Sequence, residues 1–409
     1  MKAQWDYRYA QRTQRMKASA IRELLKVTEN PEIISFAGGL PAPDVFPAER
    51  ISEASERVMK DHAAQALQYG ATNGYKPLRE LIVEHSKYLG LNLTPANVLI
   101  TSGSQQALDL IGKVFINEGD HVLVESPTYL GALQAWNQYR SEYVTVRTDN
   151  DGMVTDEMED ALRTGPKFMY VLPNFQNPMG VTLSPPRRQA LVKLADEYGV
   201  PIIEDDPYGQ LRYEGKHVEA VVSLESKLHE QSSEFIGNTI YLSTFSKILA
   251  PGLRLGWVIA PEEVVFKLET AKQGTDLHTS TFNQILAYEV AKGNFIDEHV
   301  KLIRKVYSER RDVMLNALEK FMPEGISWTR PEGGLFLWVT LPEKCDTTAM
   351  FPIALKQKVA YVPGESMHPR GGGKNTMRLN FSYCKPDVIV DGIARLAETF
   401  KQALKDCGS

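Results

Sequence analysis

Short apolar runs alternate with amphipathic stretches between residues 97 and 260. The amphipathic stretches at 104–116, 129–139 and 184–198 predict helices, with Ser184 placed to cap the last one ahead of two prolines. The apolar runs predict strands at 98–101, 121–124, 143–146, 168–172, 201–204, 239–242 and 255–260. The pattern is typical of repeated β-α units.

The pattern changes beyond residue 280, where a long helical stretch, which could be bent, is predicted over 280–321. Shorter strands and helices alternate after it. The strands are predicted near 326, at 335–339 and at 377–381, and the helices near 347–358 and at 386–404. This part of the chain is typical of an α+β arrangement.

The two patterns together predict an α/β fold with two domains. Because the runs before residue 260 are strongly apolar, we expect a mostly parallel sheet with helices on both faces. We predict a large domain over 46–290 and a small domain formed by 1–45 and 291–409. The cleft between two such domains is the expected place for a ligand.

The composition is that of an ordinary globular protein, with 43% hydrophobic and 24% charged residues among 409. A formal net charge of -5 argues against nucleic acid or an anionic membrane as a partner. No apolar run approaches the roughly 20 residues that a membrane span needs. Cys345, Cys384 and Cys407 show no paired spacing, which predicts neither a disulfide framework nor a zinc site and favours the cytoplasm.

Lys247 is the most informative single residue. It follows the predicted strand 239–242 and a hydroxyl-rich segment, and no acidic residue lies between Glu234 and Glu262. An amine at the mouth of a buried strand is partly desolvated, which lowers its pKa and makes it a nucleophile toward an aldehyde. The hydroxyls and Arg254 would suit a phosphate group. A solvated surface lysine at a strand-to-loop junction is the alternative interpretation of Lys247, and the other segments of the chain distinguish between the two.

Two segments that follow predicted strands could bind a ligand. In Thr101-Ser102-Gly103-Ser104-Gln105-Gln106, amides at a helix N-terminus would attract an anion, and Ser104 and Gln105 would add side-chain donors. Asn177, in the turn sequence Asn177-Pro178-Met179-Gly180, would donate to an aromatic oxygen. A plain helix cap and a plain turn also explain these two segments.

Three consecutive acids, Glu204, Asp205 and Asp206, end a predicted buried strand. They would repel one another unless at least one of them meets a cation. A carboxylate from Asp205 against a pyridine nitrogen would keep that nitrogen protonated, and Tyr208 could reach a ring hydroxyl. The alternative is a metal site, but none of the eight histidines pairs with these acids at ligand spacing, so we predict no metal.

Arg378 and Tyr129 complete the set of candidates. Arg378 lies in a predicted strand and points away from the face of Met377 and Leu379. Its planar fork suits bidentate binding of a substrate α-carboxylate, although a salt-bridged or snorkelling arginine is the more common explanation. Tyr129, in Ser126-Pro127-Thr128-Tyr129, could stack on a flat ring.

The chain resembles the fold-type I pyridoxal-phosphate aminotransferases of class I/II, and within them the 2-aminoadipate and kynurenine aminotransferase branch. The resemblance covers nearly the whole length and rests on Ser-Gly-Ser-Gln-Gln-Ala, Asn-Pro-x-Gly, Asp-Asp-Pro-Tyr, Ser-Thr-Phe-Ser-Lys and Pro-Gly-Leu-Arg-Leu-Gly, in the family's order. It implies the fold of pyridoxal-phosphate-dependent transferases and pyridoxal 5'-phosphate as cofactor. It also implies ping-pong transfer of an amino group from an L-amino acid to a 2-oxo acid such as 2-oxoglutarate. Donors of the 2-aminoadipate, aromatic or kynurenine, and leucine types remain open.

The resemblance implies a role for each candidate residue. Lys247 is implied as the Schiff-base lysine, Asp205 as the partner of the pyridine nitrogen and Arg378 as the site of the substrate α-carboxylate. Asn177 and Tyr208 would hold the ring oxygen, and Asn177 would also contact substrate. The implied phosphate-binding residues are Ser104, Gln105, Thr244, Ser246 and Arg254.

Four further roles follow from the same resemblance. Tyr129 would stack on the ring, and Tyr69 resembles the tyrosine that reaches the phosphate and substrate of the neighbouring subunit, which implies a homodimer. The N-terminal segment resembles the mobile helix and loop that gate the substrate. There Arg22 would meet the distal carboxylate of an acidic substrate, and Gly39 would leave room for the side chain. A solvated helix charge explains Arg22 equally well.

Two positions depart from the family pattern. Met179 replaces the threonine usual in Asn-Pro-Thr-Gly, and Thr244 stands where serine is commoner.

Two alternative functions share this set of residues or the fold: a pyridoxal-phosphate β-lyase, and the aminotransferase-like sensor domain of a transcription regulator. Such regulators carry an N-terminal helix-turn-helix of about 60 residues or more. This chain enters the enzyme pattern by residue 19, which favours the enzyme.

Overall fold

The computed structural model describes residues 4–16, 30–228 and 234–407. The α-helices of these residues are numbered in chain order: α1 Ala48–Asp61, α2 Ala63–Ala66, α3 Lys76–His85, α4 Ser104–Phe115, α5 Leu130–Asn137, α6 Met158–Leu162, α7 Pro185–Tyr198, α8 Val221–Ser226, α9 Glu262–Asp276, α10 Thr281–Ala291, α11 Phe295–Phe321, α12 Thr347–Lys356 and α13 Pro386–Cys407. The strands are β1 Ile34–Ser35, β2 Val98–Thr101, β3 His121–Ser126, β4 Glu142–Asp149, β5 Gly152–Met153, β6 Met169–Val171, β7 Ile202–Asp205, β8 Thr239–Thr244, β9 Gly256–Ile259, β10 Ser327–Trp328, β11 Phe336–Thr340, β12 Val359–Ala360, β13 Val362–Pro363 and β14 Thr376–Asn380.

The large sheet has eight strands in the order β2-β9-β8-β7-β6-β3-β4-β5. The five neighbours from β8 to β4 pair in parallel, whereas β9 runs antiparallel to both β2 and β8, and β5 is antiparallel to β4. The predicted α/β fold is therefore confirmed, with a sheet that is mixed at its two sides. Short connections explain the exceptions, since β5 returns directly from β4 and β9 from β8.

Side chains of the central strands alternate between two packed cores. Met169 and Ile202 belong to one cluster, together with Leu191 of α7. Their neighbours Tyr170 and Ile203 point to the other cluster, which contains α4. Both faces of the sheet are thus covered, and this accounts for strands that are apolar throughout.

The carboxyl ends of the parallel strands meet at one edge of the large sheet. Asp205, the last residue of β7, pairs with Leu242 of β8, so β8 runs two residues further to Thr244 before the chain reaches Lys247. The segment 172–180 follows β6 at the same edge, and 126–129 follows β3. Ligands of open α/β sheets bind at such an edge, and the structure brings the predicted polar segments together there.

A second, four-stranded antiparallel sheet has the order β10-β11-β14-β13. Arg378 lies in the middle of it, opposite Trp338 on one side and Val362 on the other. The N-terminal segment joins this region, because β1 pairs in parallel with β12 and the Asn380 amide donates to the Phe36 carbonyl at 2.9 Å. This pairing agrees with the predicted grouping of 1–45 with 291–409, while the domain boundaries themselves stay a prediction.

Two local predictions need correction. The helical stretch 280–321 is two helices, α10 and α11, separated by a break at Gly293, whose φ of 78° is left-handed. Ser184 stands at the N-cap position of α7, but its side chain makes no capping hydrogen bond. Pro186 removes one of the two backbone donors that a cap can use, since it has no N–H at the second helical position. None of the helices in the described residues is long and apolar enough to cross a membrane.

Candidate active site

A cavity of about 340 Å³ lies at the carboxyl edge of the large sheet, against Phe336 and Arg378 of the small sheet. It lies where the sequence predicts a cleft. Twelve of the fourteen candidate residues line it: Gly39, Ser104, Gln105, Tyr129, Asn177, Asp205, Tyr208, Thr244, Ser246, Lys247, Arg254 and Arg378. We call Lys247, Asp205, Asn177, Tyr208 and Arg378 the lysine end of the cavity. Ser104, Gln105, Thr244, Ser246 and Arg254 form its hydroxyl end.

Two candidates are not in the cavity. Tyr69 is 79% exposed and packs edge-on against His278, with ring centroids 5.8 Å apart. Its predicted role in a neighbouring subunit stays a prediction. Arg22 lies outside the described residues, so its predicted contact with a distal carboxylate also stays a prediction.

The Lys247 amine points into the cavity and donates to the carbonyl oxygen of Gly39 at 3.0 Å. Burial lowers the pKa of Lys247 to about 8, and the positive charges of Arg378 and Arg254 act in the same direction. The shift has the direction expected from the sequence. A substantial fraction of this amine is therefore neutral, and nucleophilic, near physiological pH.

Asp205 is 2% exposed and keeps one carboxylate oxygen without a partner among the described residues. Its Oδ2 atom accepts from the Tyr170 hydroxyl at 2.7 Å, whereas its Oδ1 atom is the orphan. Burial raises the pKa of Asp205 to about 7, the Tyr170 hydrogen bond opposes this rise, and the nearby Asp206 adds to it. A buried carboxylate oxygen of this kind is best stabilised by a cationic N–H donor.

The two acids on either side of Asp205 have separate partners. Both oxygens of Glu204 accept from backbone amides at the start of α8, at 2.8 and 2.9 Å, and burial raises the pKa of Glu204 to about 7. The sequence predicts that at least one of the three acids meets a cation. The groups that donate directly to Glu204 and Asp206 are all neutral. Those of Asp206 are Asn174 Nδ2, the Gly209 amide and the Tyr241 hydroxyl.

Arg378 is 1% exposed and lies 4.2 Å above the ring of Phe336. One terminal nitrogen donates to Asn177 Oδ1 at 2.8 Å and the other to the Ala37 carbonyl at 2.8 Å, whereas Nε has no partner among the described residues. Burial lowers the pKa of Arg378 to about 10. A buried guanidinium with an unused donor attracts an anion into the cavity.

Asn177 and Tyr208 lie beside this guanidinium. Both are almost fully buried, with exposed fractions of 3% and 4%. Burial raises the pKa of Tyr208 well above the usual range of a phenol, which keeps it a hydrogen-bond donor at every physiological pH. The two side chains provide neutral donors between the anion site at Arg378 and the acid at Asp205.

The hydroxyl end is built from a helix N-terminus and a tight turn. Helix α4 begins at Ser104, whose hydroxyl contacts the Ser243 carbonyl at 3.5 Å. Thr244 Oγ1 donates to the Leu255 carbonyl at 2.9 Å and accepts from the Ser246 amide at 3.0 Å. One amide hydrogen of Gln105 is used by the Gly131 carbonyl at 2.8 Å. The Ser104 and Ser246 hydroxyls, the amides of α4 and Arg254 form a set of anion donors, whereas the single hydrogen of the Thr244 hydroxyl is used by the Leu255 carbonyl.

Gly103 allows Arg254 to reach this end. A Cβ at Gly103 would lie 2.6 Å from Nη2 of Arg254, and Gly103 has a left-handed φ of 79°. Any side chain there would push the guanidinium away and strain the backbone. The glycine before the helix therefore serves both the turn and the arginine.

Several residues of the site were missed by sequence reasoning. Behind Asp205, Tyr170 is buried on β6, and a tyrosine in an otherwise apolar strand is the signal that could have found it, because a buried hydroxyl needs a partner. The other lining residues are apolar, so no chemical signal marks them. They are Leu40, Pro41, Leu172, Pro207, Pro251 and Phe336.

The donor set fits pyridoxal phosphate. The orphaned Oδ1 of Asp205 suits a protonated ring nitrogen, Asn177 and Tyr208 suit the ring oxygen, and the hydroxyl end suits the phosphate. The Lys247 amine lies in the same cavity. In the described part of the chain, no group of three or more His, Cys, Asp or Glu residues could hold a metal ion.

Comparison with known proteins agrees with this chemistry. Residues 34–396 match the family "Aminotransferase class I and II". The chain is 49% identical to an aromatic-amino-acid aminotransferase of Thermococcus litoralis, over 95% of this chain and 93% of the relative. It superposes with a TM-score of 0.92 and 39% identity on the α-aminoadipate aminotransferase of Thermus thermophilus, solved with N-(5'-phosphopyridoxyl)-L-leucine, over 98% and 100% of the two chains.

A second similar structure widens the range of substrates among the relatives. It is the kynurenine aminotransferase of Pyrococcus horikoshii, with a TM-score of 0.91 and 48% identity, covering 98% of this chain and 99% of that one. Agreement in sequence, in fold and in the donor set of the cavity leads to one conclusion. The chain belongs to the class I and II aminotransferases and is a pyridoxal-phosphate-dependent transaminase.

Proposed function

We propose that this transaminase takes aromatic L-amino acids, kynurenine among them, as amino donors and 2-oxoglutarate as acceptor. The observation that carries the proposal is the lysine end, where the amine of Lys247 shares one cavity with the orphaned oxygen of Asp205 and the unused Nε of Arg378. Leu40, Leu172 and Phe336 add apolar walls that suit an aromatic side chain. The two relatives at 48% and 49% identity are a kynurenine and an aromatic-amino-acid aminotransferase.

Three residues of the lysine end do the chemical work in this proposal. Arg378 binds the α-carboxylate of the amino acid, and Lys247 Nζ takes the proton from the substrate Cα and later returns one. Asp205 holds a proton on the ring nitrogen. Pyridoxal phosphate, when bound, accepts the electrons of the broken Cα–H bond into its protonated ring. A neutral Lys247 amine is the form able to accept that proton, which fits its lowered pKa.

The remaining residues hold the cofactor and shape the cavity. Asn177 and Tyr208 donate to the ring oxygen, and Tyr129 stacks on the ring. The five residues of the hydroxyl end bind the phosphate. The carbonyl of Gly39, which accepts from Lys247, releases the amine when cofactor binds, and the absence of a side chain at Gly39 leaves space for the substrate.

The substrate range is tested with a panel of amino donors and 2-oxoglutarate as acceptor. We expect kcat/KM for phenylalanine, tyrosine and kynurenine to exceed that for 2-aminoadipate and leucine. A preference for 2-aminoadipate would overturn the aromatic assignment and favour Arg22 as a contact to the distal carboxylate. In that case Arg22→Ala should lower activity with 2-aminoadipate and spare leucine. Release of ammonia and a keto acid without any 2-oxo acid would instead show a β-lyase.

We also propose that the chain works as a homodimer in which Tyr69 enters the partner's site. Its 79% exposure in the single chain is compatible with this role, because the side chain is accessible to a partner surface. The test mixes inactive Lys247→Ala chains with Tyr69→Phe chains, after partial unfolding to exchange subunits. A hybrid dimer regains one intact site, so activity should exceed the sum of the two parents. Activity equal to that sum would exclude the shared site.

We also propose a cytoplasmic location. It rests on the unpaired spacing of the three cysteines, which suits a reducing compartment. Fractionation of the source cells with an antibody against the protein would test it.

A further inference from the structure

A buried lysine outside the cavity lies directly behind the hydroxyl end. The side chain of Lys272, in the last turns of α9, is 0% exposed. Its ammonium donates to both oxygens of Asp276 at 2.8 and 2.9 Å, to Gln106 Oε1 at 2.8 Å and to Thr279 Oγ1 at 3.0 Å. None of these four residues lines the cavity.

Gln106 connects this cluster to the turn that precedes α4. Its Oε1 atom, which accepts from Lys272, also accepts from the Ser102 backbone amide at 2.8 Å. Its Nε2 atom donates to Asp276 Oδ2 at 2.6 Å, and the Ser102 hydroxyl donates to the same oxygen at 3.2 Å. The turn before Ser104 is thus held by the backbone amide of Ser102 and by the side chains of Ser102 and Gln106.

The ion pair of Lys272 and Asp276 is not expected to contribute much net stability to the fold. Burial lowers the pKa of Lys272, and the hydrogen bonds and charge of Asp276 act in the opposite direction. Replacing both members of a buried ion pair, each by an apolar side chain of similar volume, often leaves stability unchanged. What such a side chain cannot do is hold Gln106, and through it Ser102, in one position.

The geometry points to Lys272 as a positioning residue for the phosphate of the cofactor, acting through Gln106 on the turn 102–104. The inference rests on the proposed role of the hydroxyl end in binding that phosphate. Lys272 fixes the direction of the first amides of α4 and the place of Ser104. Loss of the ammonium frees the turn, and the phosphate then loses aligned donors while the ring contacts at the lysine end are untouched.

The opposite side of the cluster contacts the segment that carries Tyr69. Thr279, which accepts from Lys272, follows His278, and the His278 ring accepts from the Gly70 amide at 3.3 Å and packs on Tyr69. The same ammonium therefore steadies a turn of its own site and a segment proposed to serve the partner's site. In the proposal, the turn 102–104 contacts the cofactor phosphate of its own site, and Tyr69 enters the partner's site.

The test compares two ligands of the cofactor-free protein that differ only in the phosphate. For Lys272→Met we expect the Kd of pyridoxal phosphate to rise about tenfold, as for the loss of one aligned hydrogen bond between the turn and the phosphate. The Kd of pyridoxal, which lacks the phosphate, should stay within about twofold of the wild type. Gln106→Leu should give the same selective loss, and the double variant should lose no more than either single variant.

Several outcomes would overturn the inference. An unchanged Kd for pyridoxal phosphate, or an equal loss for both ligands, would leave Lys272 with a structural role alone. Arg187→Met is the matched control, because it removes an ion pair with Asp149 that is remote from both ends, and neither residue lines the cavity. Its affinities for both ligands should match the wild type even where its thermal stability falls.

The companion variant Arg254→Ala separates this inference from the proposed function. If Arg254→Ala fails to weaken pyridoxal phosphate selectively, the phosphate assignment of the hydroxyl end is wrong. If it succeeds and Lys272→Met does not, only the positioning role is wrong. Should Lys272→Met not fold, Gln106→Leu carries the same comparison, since Gln106 is the contact through which Lys272 is proposed to act.

Discussion

The two ends of the cavity are built on different physical principles. At the lysine end, charged groups are buried, their pKa values are displaced, and two polar atoms, Asp205 Oδ1 and Arg378 Nε, have no partner in the described structure. At the hydroxyl end, the hydroxyls of Thr244 and Ser104 already bond to protein atoms, and Arg254 lies on the surface. At the lysine end a ligand must supply the partners that these buried polar atoms lack, whereas the hydroxyl end offers mostly neutral groups with protein partners beside an exposed arginine.

This difference indicates that the lysine end serves the chemical step and the hydroxyl end serves cofactor binding. Buried charge in a low-dielectric site changes the energies of charged states strongly, so it suits the chemical step. Neutral donors around a surface arginine suit binding. Substitutions at the lysine end should therefore lower turnover or substrate affinity, and substitutions at the hydroxyl end should mainly weaken cofactor affinity.

Lys247→Ala should have the largest effect. Removal of the amine eliminates the covalent anchor and the base, so kcat should fall by at least about 10⁴-fold, the upper part of the range for general-base catalysis. Steady-state transamination with an aromatic donor measures the loss, and the visible absorbance of the protein-bound cofactor should change with it. Turnover close to that of the wild type would remove Lys247 from the mechanism.

Asp205→Asn should come next, with turnover reduced about 10²- to 10³-fold, as for the loss of one preorganised charge contact. It should also stabilise the cofactor-free protein. Because the folded pKa of about 7 lies above the ordinary 3.8, the folded state binds the extra proton, and stability falls as pH rises between these values. Thermal unfolding at pH 5 and pH 8 measures this. A variant with the pH dependence of the wild type would show that Asp205 is not responsible.

Arg378→Ala should raise the KM for amino acids by about 10- to 100-fold with a smaller change in kcat, because a charge-assisted contact to the carboxylate is lost. It should also move the pKa of Lys247 upward from about 8 toward 10.5, since Arg378 is one of the charges that lower it. The pH dependence of cofactor capture by the cofactor-free protein measures this midpoint. An unchanged KM would remove the carboxylate role.

Arg254→Ala tests the hydroxyl end and should be milder. We expect the Kd of pyridoxal phosphate to rise about tenfold, with kcat near that of the wild type once cofactor is saturating. Equilibrium titration of the cofactor-free protein, followed by kinetics in excess cofactor, provides both values. A large loss of kcat at saturation would abolish the distinction between the two ends.

Tyr170→Phe should have the smallest effect. It removes the hydroxyl that donates to Asp205 at 2.7 Å while keeping the ring that packs edge-on against Trp136. The pKa of Asp205 should rise further, because this bond lowers it, and kcat should fall only severalfold. The pH profile of kcat separates this tuning from simple damage, since damage would lower kcat without moving the profile.

Much of the fold and of the cavity was predictable because its signals are local. The strands that end at Asp205 and Thr244 are short apolar runs, and their polar residues follow directly in sequence. Parallel strands bring such ends to one edge. The cap at Ser184 was wrong, because a residue's preference for the N-cap position does not decide whether its side chain makes the capping hydrogen bond. Tyr170 was missed because its partner, Asp205, is 35 positions away on the neighbouring strand.

The sequence by itself determined the α/β fold, the family and twelve residues of the cavity, since periodicity and short motifs express backbone and burial preferences of neighbouring residues. The tertiary structure alone decided which of the polar atoms are satisfied. Lys247 meets Gly39 across 208 positions, Arg378 meets Asn177 across 201, and Lys272 meets Gln106 across 166. Burial and hydrogen-bond completion are properties of all the surrounding segments together, so no local pattern specifies them.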